Sequence, residues 1–286
     1  VLAAEPAEEN QDKPSYSYWD VHPLKVGANG IFIGSASISK APQGGHLSFY
    51  KYNGYTTILI PVSKTTYFFP RFEWNSFRLD WNKNPKFSKK DYSYAQFGLT
   101  LFTTSIERWR WILRGSYNVD ADHFGELHDY SLFEGLIWGA YELHRKWHYH
   151  IGTYGYTGFG GAQVFPLIGL DYSPNRHWTF ALIFPIDYSI QYNFNKSWRL
   201  SLKGRPLRER FRTNDNQFQP RSVFNYSSMG AELNLHYERF LRFEAEIFAG
   251  GNFGGSFYIK DAHGQNPLYA NVGFAPYCGA NFQFGF

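Results

Sequence analysis

The sequence predicts an all-β chain, an up-and-down antiparallel β-barrel of about fourteen strands that crosses a membrane. Three observations predict it. Segments of period-2 alternation follow one another along the chain, bounded by turn residues. Aromatic residues make up 21% of the 286 positions, with 28 Phe, 22 Tyr and 9 Trp, far beyond the needs of a soluble core. A barrel places such rings in girdles at its two membrane interfaces, where an apolar body with a polar edge suits the boundary. The mean hydropathy is nevertheless negative, and no stretch approaches the roughly 18 consecutive apolar residues of a spanning helix. Helices and closed barrels are the only spanning forms that satisfy every backbone polar group, so a chain of this kind spans as a barrel.

Taken in order, residues 1–22 are acidic and polar at first (Glu5, Glu8, Glu9, Asp12, Pro14) and show no periodicity. They read as a flexible periplasmic segment ahead of a barrel over 23–286. The opening Val1-Leu2-Ala3-Ala4-Glu5 looks like the small-residue end of a secretory signal peptide. Strands are then expected at 26–38, 45–62, 65–80, 92–106, 108–118, 130–144, 147–157, 163–173, 177–184, 188–195, 198–211, 224–238, 240–254 and 269–286. A short basic turn followed by an aromatic residue recurs between them: Glu107-Arg108-Trp109, Arg145-Lys146-Trp147, Asn175-Arg176-His177-Trp178, Asn195-Lys196-Ser197-Trp198 and Glu238-Arg239-Phe240, with Ser63-Lys64-Thr65-Thr66-Tyr67 a looser copy. The unequal spacing argues against a solenoid and fits hairpin turns at one rim, each with an interfacial ring just inside it.

The alternation is plainest in four places. Trp109, Trp111, Leu113, Gly115 and Tyr117 oppose Arg110, Ile112, Arg114 and Ser116; Trp198, Leu200 and Leu202 oppose Arg199, Ser201 and Lys203; Met229, Ala231, Leu233, Leu235 and Tyr237 oppose Gly230, Glu232, Asn234 and His236. Leu241, Phe243, Ala245 and Ile247 likewise oppose Arg242, Glu244 and Glu246. In a barrel the apolar faces meet lipid and the charged faces line the lumen. The last segment puts Cys278, Ala280, Phe282, Phe284 and Phe286 on one face and Gly279, Asn281, Gln283 and Gly285 on the other.

That closing pattern resembles the C-terminal strand of Gram-negative outer-membrane β-barrels, which the insertion machinery of that membrane recognises; no narrower family than porin-like is identified. The resemblance implies residence in the cell outer membrane, contact with its lipid and lipopolysaccharide, and recognition by the barrel assembly machinery, with Phe282, Phe284 and Phe286 as the assembly signal. It also decides one ambiguity. Alternation runs unbroken from Trp178 to Phe194, so Phe184-Pro185-Ile186-Asp187-Tyr188 reads as a turn or as mid-strand. A turn gives an even strand number, as bacterial barrels have, and puts every short basic turn and both ends on one rim. Twelve strands is the alternative count. The longer connections, near 81–91 (with Lys83, Lys86, Lys89 and Lys90), 119–129, 212–223 and 255–268, then lie on the outer rim.

Composition removes several functions. The lone Cys278 cannot form an internal disulfide and no Cys/His spacing suits zinc, so neither a metal nor another cofactor is expected. A net charge of +4 spread along the chain argues against nucleic-acid binding. Asp120, Asp122, His123, Glu126, His128 and Asp129 gather in one outer loop without the spacing of a calcium loop and read as solvated. His148 and His150 read as interfacial polar residues. His46-Leu47-Ser48 is similar to the His-x-Ser pair of lipid A deacylases, with both side chains on one strand face, yet it offers no third group.

The lumen-facing charges carry the functional expectation. Arg199, Lys203 and Arg205, followed by Arg208, Arg210 and Arg212, are expected near Glu232 on the next strand and Arg242, Glu244 and Glu246 on the one after. The reading is a non-enzymatic, porin-like channel for passive diffusion of small hydrophilic solutes, with mild anion preference. A closed structural or accessory barrel in an envelope complex is the alternative, with an oligomer or partner protein then expected, and a lipid hydrolase is the third.

Overall fold

In the computed structural model, the structure describes residues 23–40, 44–83, 90–127, 129–158, 161–213, 221–239, 242–261 and 267–286. The segment expected over 1–22, and Lys86, Lys89 and His128 of the expected outer loops, lie outside them. The described residues contain strands and no helix. The strands are β1 (Leu24–Ser39), β2 (His46–Ile58, with the stub Ile60–Pro61), β3 (Thr66–Trp81), β4 (Asp91–Thr103), β5 (Trp109–Asp120), β6 (Ser131–His144), β7 (Trp147–Gly158), β8 (Gly161–Tyr172), β9 (Trp178–Phe184), β10 (Asp187–Asn193), β11 (Trp198–Arg212), β12 (Val223–Arg239), β13 (Phe243–Lys260) and β14 (Leu268–Val272 and Ala275–Gly285).

Each pairs antiparallel with its sequence neighbours, and β14 pairs with β1 through Val26↔Phe284 to Ile33↔Tyr277, which closes a ring of fourteen. A closed ring leaves no full-length edge to solvate. The disputed turn is real: the Ile186 N–H donates to the Ile183 carbonyl at 2.8 Å, between β9 and β10. The expected outer connection at 255–268 is shorter than the sequence suggested, because β13 continues to Lys260. Gly254, at φ +98°, supplies the positive dihedral for an extra residue there, and the pairing with β12 shifts at that level.

The basic turns at 107–109, 145–147, 175–178 and 195–198 and both described ends fall on one rim, where the Phe286 N–H donates to the Leu24 carbonyl at 2.8 Å. Two turns close by the same chemistry. The Asn175 side-chain oxygen accepts from the backbone N–H groups of His177 and Trp178, and that of Asn195 from those of Ser197 and Trp198, which is why Asn opens each turn. The ring after each turn then packs on a neighbouring strand. Ring centroids lie 4.1 Å apart for Trp147 and Tyr172, 4.9 Å for Trp178 and Tyr192, 4.6 Å for Trp198 and Tyr237, and 4.8 Å for Phe243 and Phe284. The result is an aromatic belt beside the short-turn rim. The outward faces are apolar, with Phe97, Ile151, Val164, Ile168, Leu233, Ile247, Phe282 and Phe284 all exposed.

Candidate functional site: the barrel interior

The interior has two halves of different chemistry. Near the short-turn rim it is polar and ion-paired. Arg205 grips Glu232 with two bonds, Nε to Oε2 at 2.5 Å and Nη2 to Oε1 at 2.6 Å, and its guanidinium lies 4.4 Å from the centre of the Phe248 ring. Arg199 reaches Glu238 at 3.2 Å and also touches His236, while Lys203 lies 3.7 Å from Glu246. Glu246 accepts from Asn234 and, at 3.4 Å, from Asn281. Glu244 accepts from Gln283 at 3.1 Å and stands 4.0 Å from Lys25 of β1. Arg242 is exposed in the turn before β13, where its backbone carbonyl accepts from Gly285.

Three of the acids stand behind the bases. The side chains of Arg199, Lys203 and Arg205 are 31%, 32% and 31% exposed, whereas those of Glu238, Glu246 and Glu232 are at 11%, 17% and 0%; Glu244, at 34%, is as open as the bases. Across the ring, Arg71 pairs with Glu73 at 2.6 Å and lies 3.7 Å from the centre of the Tyr55 ring. His148 and His150 are buried rather than interfacial. His148 Nδ1 lies 2.6 Å from Asp171 Oδ1, His150 Nε2 lies 3.0 Å from Asp171 Oδ2, and Trp138 Nε1 donates to His150 Nδ1 at 2.9 Å. Sequence reading missed Asp171 and Trp138. The available signal was parity, since both sit on the inward face of the strands flanking β7.

Toward the opposite rim the interior turns apolar and fills. Phe77 of β3 stacks on Phe211 of β11 with centroids 4.4 Å apart; Phe49 of β2 meets Tyr226 of β12 at 5.0 Å, and Trp81 meets Phe257 of β13 at 4.9 Å. β3 and β11 stand six places apart round the ring, so these contacts join facing walls through the lumen. Ile33, Leu47, Leu79, Leu207, Phe224 and Ile259 belong to the same cluster. Beneath it, Lys51 of β2 and Glu209 of β11 pair across the lumen at 2.8 Å. Burying one such ring is worth about 1.5–3 kcal/mol, so a water path that wetted four of them is opposed by roughly 6–12 kcal/mol.

The acidic connection between β5 and β6 is exposed at Asp122, Phe124, Glu126 and Leu127 and is tied down at its ends. His123 lies 3.1 Å from Asp120 and stacks on Tyr130 with centroids 3.7 Å apart. The Tyr130 hydroxyl donates to the Thr213 carbonyl, and Arg221 bonds Glu126 and Asp129, each at 3.1 Å. Arg208, Arg210 and Arg212 correct the expectation that they continue the basic row. β11 carries no bulge, so these even-numbered residues alternate with the odd-numbered face of Arg199, Lys203 and Arg205. His46 and Ser48 share the outward face near the far rim, and no hydrogen bond joins them. Ser48 stands opposite Asp80, which Lys90 engages at 3.0 Å.

Comparison with known proteins agrees with this architecture. The chain is 27% identical over 176 residues to an uncharacterized protein of Chlamydia pneumoniae, covering 61% of this chain and 55% of that protein. It is 22% identical over 199 residues to one of Chlamydia trachomatis serovar D, covering 69% and 62%. The match thus spans little more than half of these relatives' own length. Among solved structures, the COG4313 outer membrane channel from Pseudomonas putida F1 superposes with a TM-score of 0.53 at 8% identity, over 99% of this chain and 100% of that one. That likeness is one of fold, a barrel of the outer-membrane kind. The family model described as Domain of unknown function (DUF6268) matches residues 80–285, and the chain belongs to that family.

Proposed function

We propose that the protein resides in the outer membrane of a Gram-negative cell as a channel for small polar solutes, resting closed at its outer end and mildly preferring anions. The observation that carries this reading is the arrangement of charge in the polar half, with Arg199, Lys203 and Arg205 in front and Glu232 sealed behind. Fixed positive charge beside a narrow aqueous space raises the local anion concentration within a Debye length, about 10 Å at 0.1 M salt. Glu244 and Glu246 moderate it, so cations are not excluded. The exposed apolar wall suits outer-membrane lipid and lipopolysaccharide.

The test is reversal potential in a salt gradient across planar bilayers. Replacing Arg199, Lys203 and Arg205 by Gln is expected to move selectivity toward cations at 0.1 M salt, and the change shrinks at 1 M as screening shortens. Unchanged selectivity at low salt would mean that these side chains do not line the conducting path. The closed-barrel reading is favoured by a different observation, the aromatic plug, and conductance of a barrel with that plug removed separates the two.

Assembly gives a second expected outcome. β14 closes the ring against β1 and turns Phe282, Phe284 and Phe286 outward, where we place the contact with the barrel assembly machinery. A Phe286→Ser variant is expected to be synthesised and exported normally but to reach the outer membrane at several-fold lower level. Wild-type levels in the isolated outer membrane would remove the signal role.

A further inference from the structure

The barrel wall is not of even height. β9 and β10 are seven residues each, short of the about 9–11 residues with which a tilted strand crosses the hydrocarbon layer. Their neighbours continue past them. β8 pairs with β9 only at 168–172, and β11 with β10 only at 199–204, so residues 161–167 of β8 and 205–212 of β11 have no strand on that side. Among the described residues nothing else pairs with those two edges. The hairpin thus leaves a notch in the wall, floored by the turn between Phe184 and Asp187. At the usual spacing of about 4.8 Å per strand, two absent strands leave about 14 Å between the backbones, an opening that Arg210 crosses at its upper end, its Nη2 standing 3.1 Å from where a Cβ on Gly161 would be.

The outward surface stays apolar beside the notch. Val164 is 74% exposed and Ile168 64% exposed, and Pro166 and Leu202 are exposed as well, so the gap cuts into the level of the wall that suits lipid. Its lining, by contrast, is cationic and aromatic. The Arg208 guanidinium reaches across to lie 4.6 Å from the centre of the Phe165 ring on β8, and that of Arg210 lies 5.4 Å from the centre of the Tyr156 ring on β7. The Tyr156 hydroxyl donates to Gln163 at 2.5 Å. Arg208 is exposed and forms no ion pair with a carboxylate. Open strand edges and an unneutralised guanidinium are both costly in hydrocarbon unless a polar, negatively charged group meets them.

We infer that the notch between β8 and β11 binds a single-chain anionic amphiphile from the membrane, its carboxylate at Arg208 and its chain along Val164, Pro166 and Leu202. This rests on the membrane placement proposed above but not on conductance. The exposed Arg208 guanidinium, held over the Phe165 face, offers a fixed planar set of N–H donors that suits a carboxylate. The apolar strip beside it receives the tail, so head and tail are recognised by different sides of one opening.

The test uses the full chain in phosphatidylcholine nanodiscs and a long-chain fatty acid carrying a photoactivatable diazirine, with the matching fatty alcohol as control. Labelled peptides from the acid are expected to concentrate in 161–168 and 202–212, and to fall about tenfold in an Arg208→Gln variant. An Arg208→Lys variant is expected to keep most of the labelling. Heat-modifiable migration on a gel reports that each variant is folded. Labelling spread evenly round the wall, equal labelling by the alcohol, or no loss in the Gln variant would each overturn the inference while leaving the membrane barrel standing. A protein monodisperse without detergent would instead remove the membrane placement itself.

Discussion

Replacing Phe77 and Phe211 together by Ala is expected to convert a barrel that conducts rarely into one with a stable open level in planar bilayers. The two rings stack at 4.4 Å between walls six places apart; Phe49 and Tyr92 pack on them, and Tyr226 packs on Phe49. Removing both takes out a contact that joins the walls and leaves a space that adjoins the Lys51–Glu209 level. Each substitution costs about 3–5 kcal/mol of packing, so the variant must first be shown folded by heat-modifiable migration. A stable conductance that wild type lacks establishes the plug as a gate on a real path. Silence from a folded variant would count against the channel and favour the structural barrel, with Phe49–Tyr226 and Trp81–Phe257 then holding the outer half shut.

Why the sequence yields the wall and not the plug follows from particular residues. Lipid-facing alternation is long and regular on β11, β12 and β13, and the basic turns mark every crossing of the short-turn rim, so strand number and order are legible. The plug was also encoded, in less obvious form. Phe224 and Tyr226 share the even face of Glu232 and Asn234, and Leu207, Glu209 and Phe211 share the odd face of Arg199 and Lys203. An aromatic residue on the polar face of a barrel strand points into the lumen, and following parity to the end of each strand would have found it. The same parity separates Arg208 and Arg210 from the basic row.

Other features need register, which local sequence does not carry. The inward face of β1 changes from odd at Ile33 to even at Ala36, where the pairing with β2 slips by one residue. On β13 it changes from even at Asn252 to odd at Phe257 across the Gly254 bulge. The notch is hidden for a related reason. The short β9–β10 hairpin is readable from the chain, but the unpaired lengths of β8 and β11 emerge only once the strands are aligned.

The second large effect concerns stability. An Arg205→Ala variant is expected to lose about 3–5 kcal/mol of unfolding free energy in guanidinium titrations of the detergent-solubilised barrel, because it strands a carboxylate in a site from which water is excluded. Glu232 is 1% exposed, and the bidentate bond to Arg205 supplies its closest cation, at 2.5 and 2.6 Å. Removing both partners is a different experiment. An Arg205→Leu, Glu232→Leu variant leaves no buried charge, and its loss is expected to be clearly smaller than that of Arg205→Ala alone. This contrast separates an electrostatic account from a packing account. If the guanidinium mattered chiefly by covering the Phe248 ring at 4.4 Å, an Arg205→Met variant, which keeps an apolar stem over that ring, would restore stability while Glu232 remained unpaired. If the ion pair dominates, Arg205→Met fails as Arg205→Ala does and Arg205→Lys recovers part of the loss. Recovery by Met would therefore demote Glu232 from a charged element of the vestibule to a spacer behind it, and the anion preference would then have to come from Arg199 and Lys203 alone.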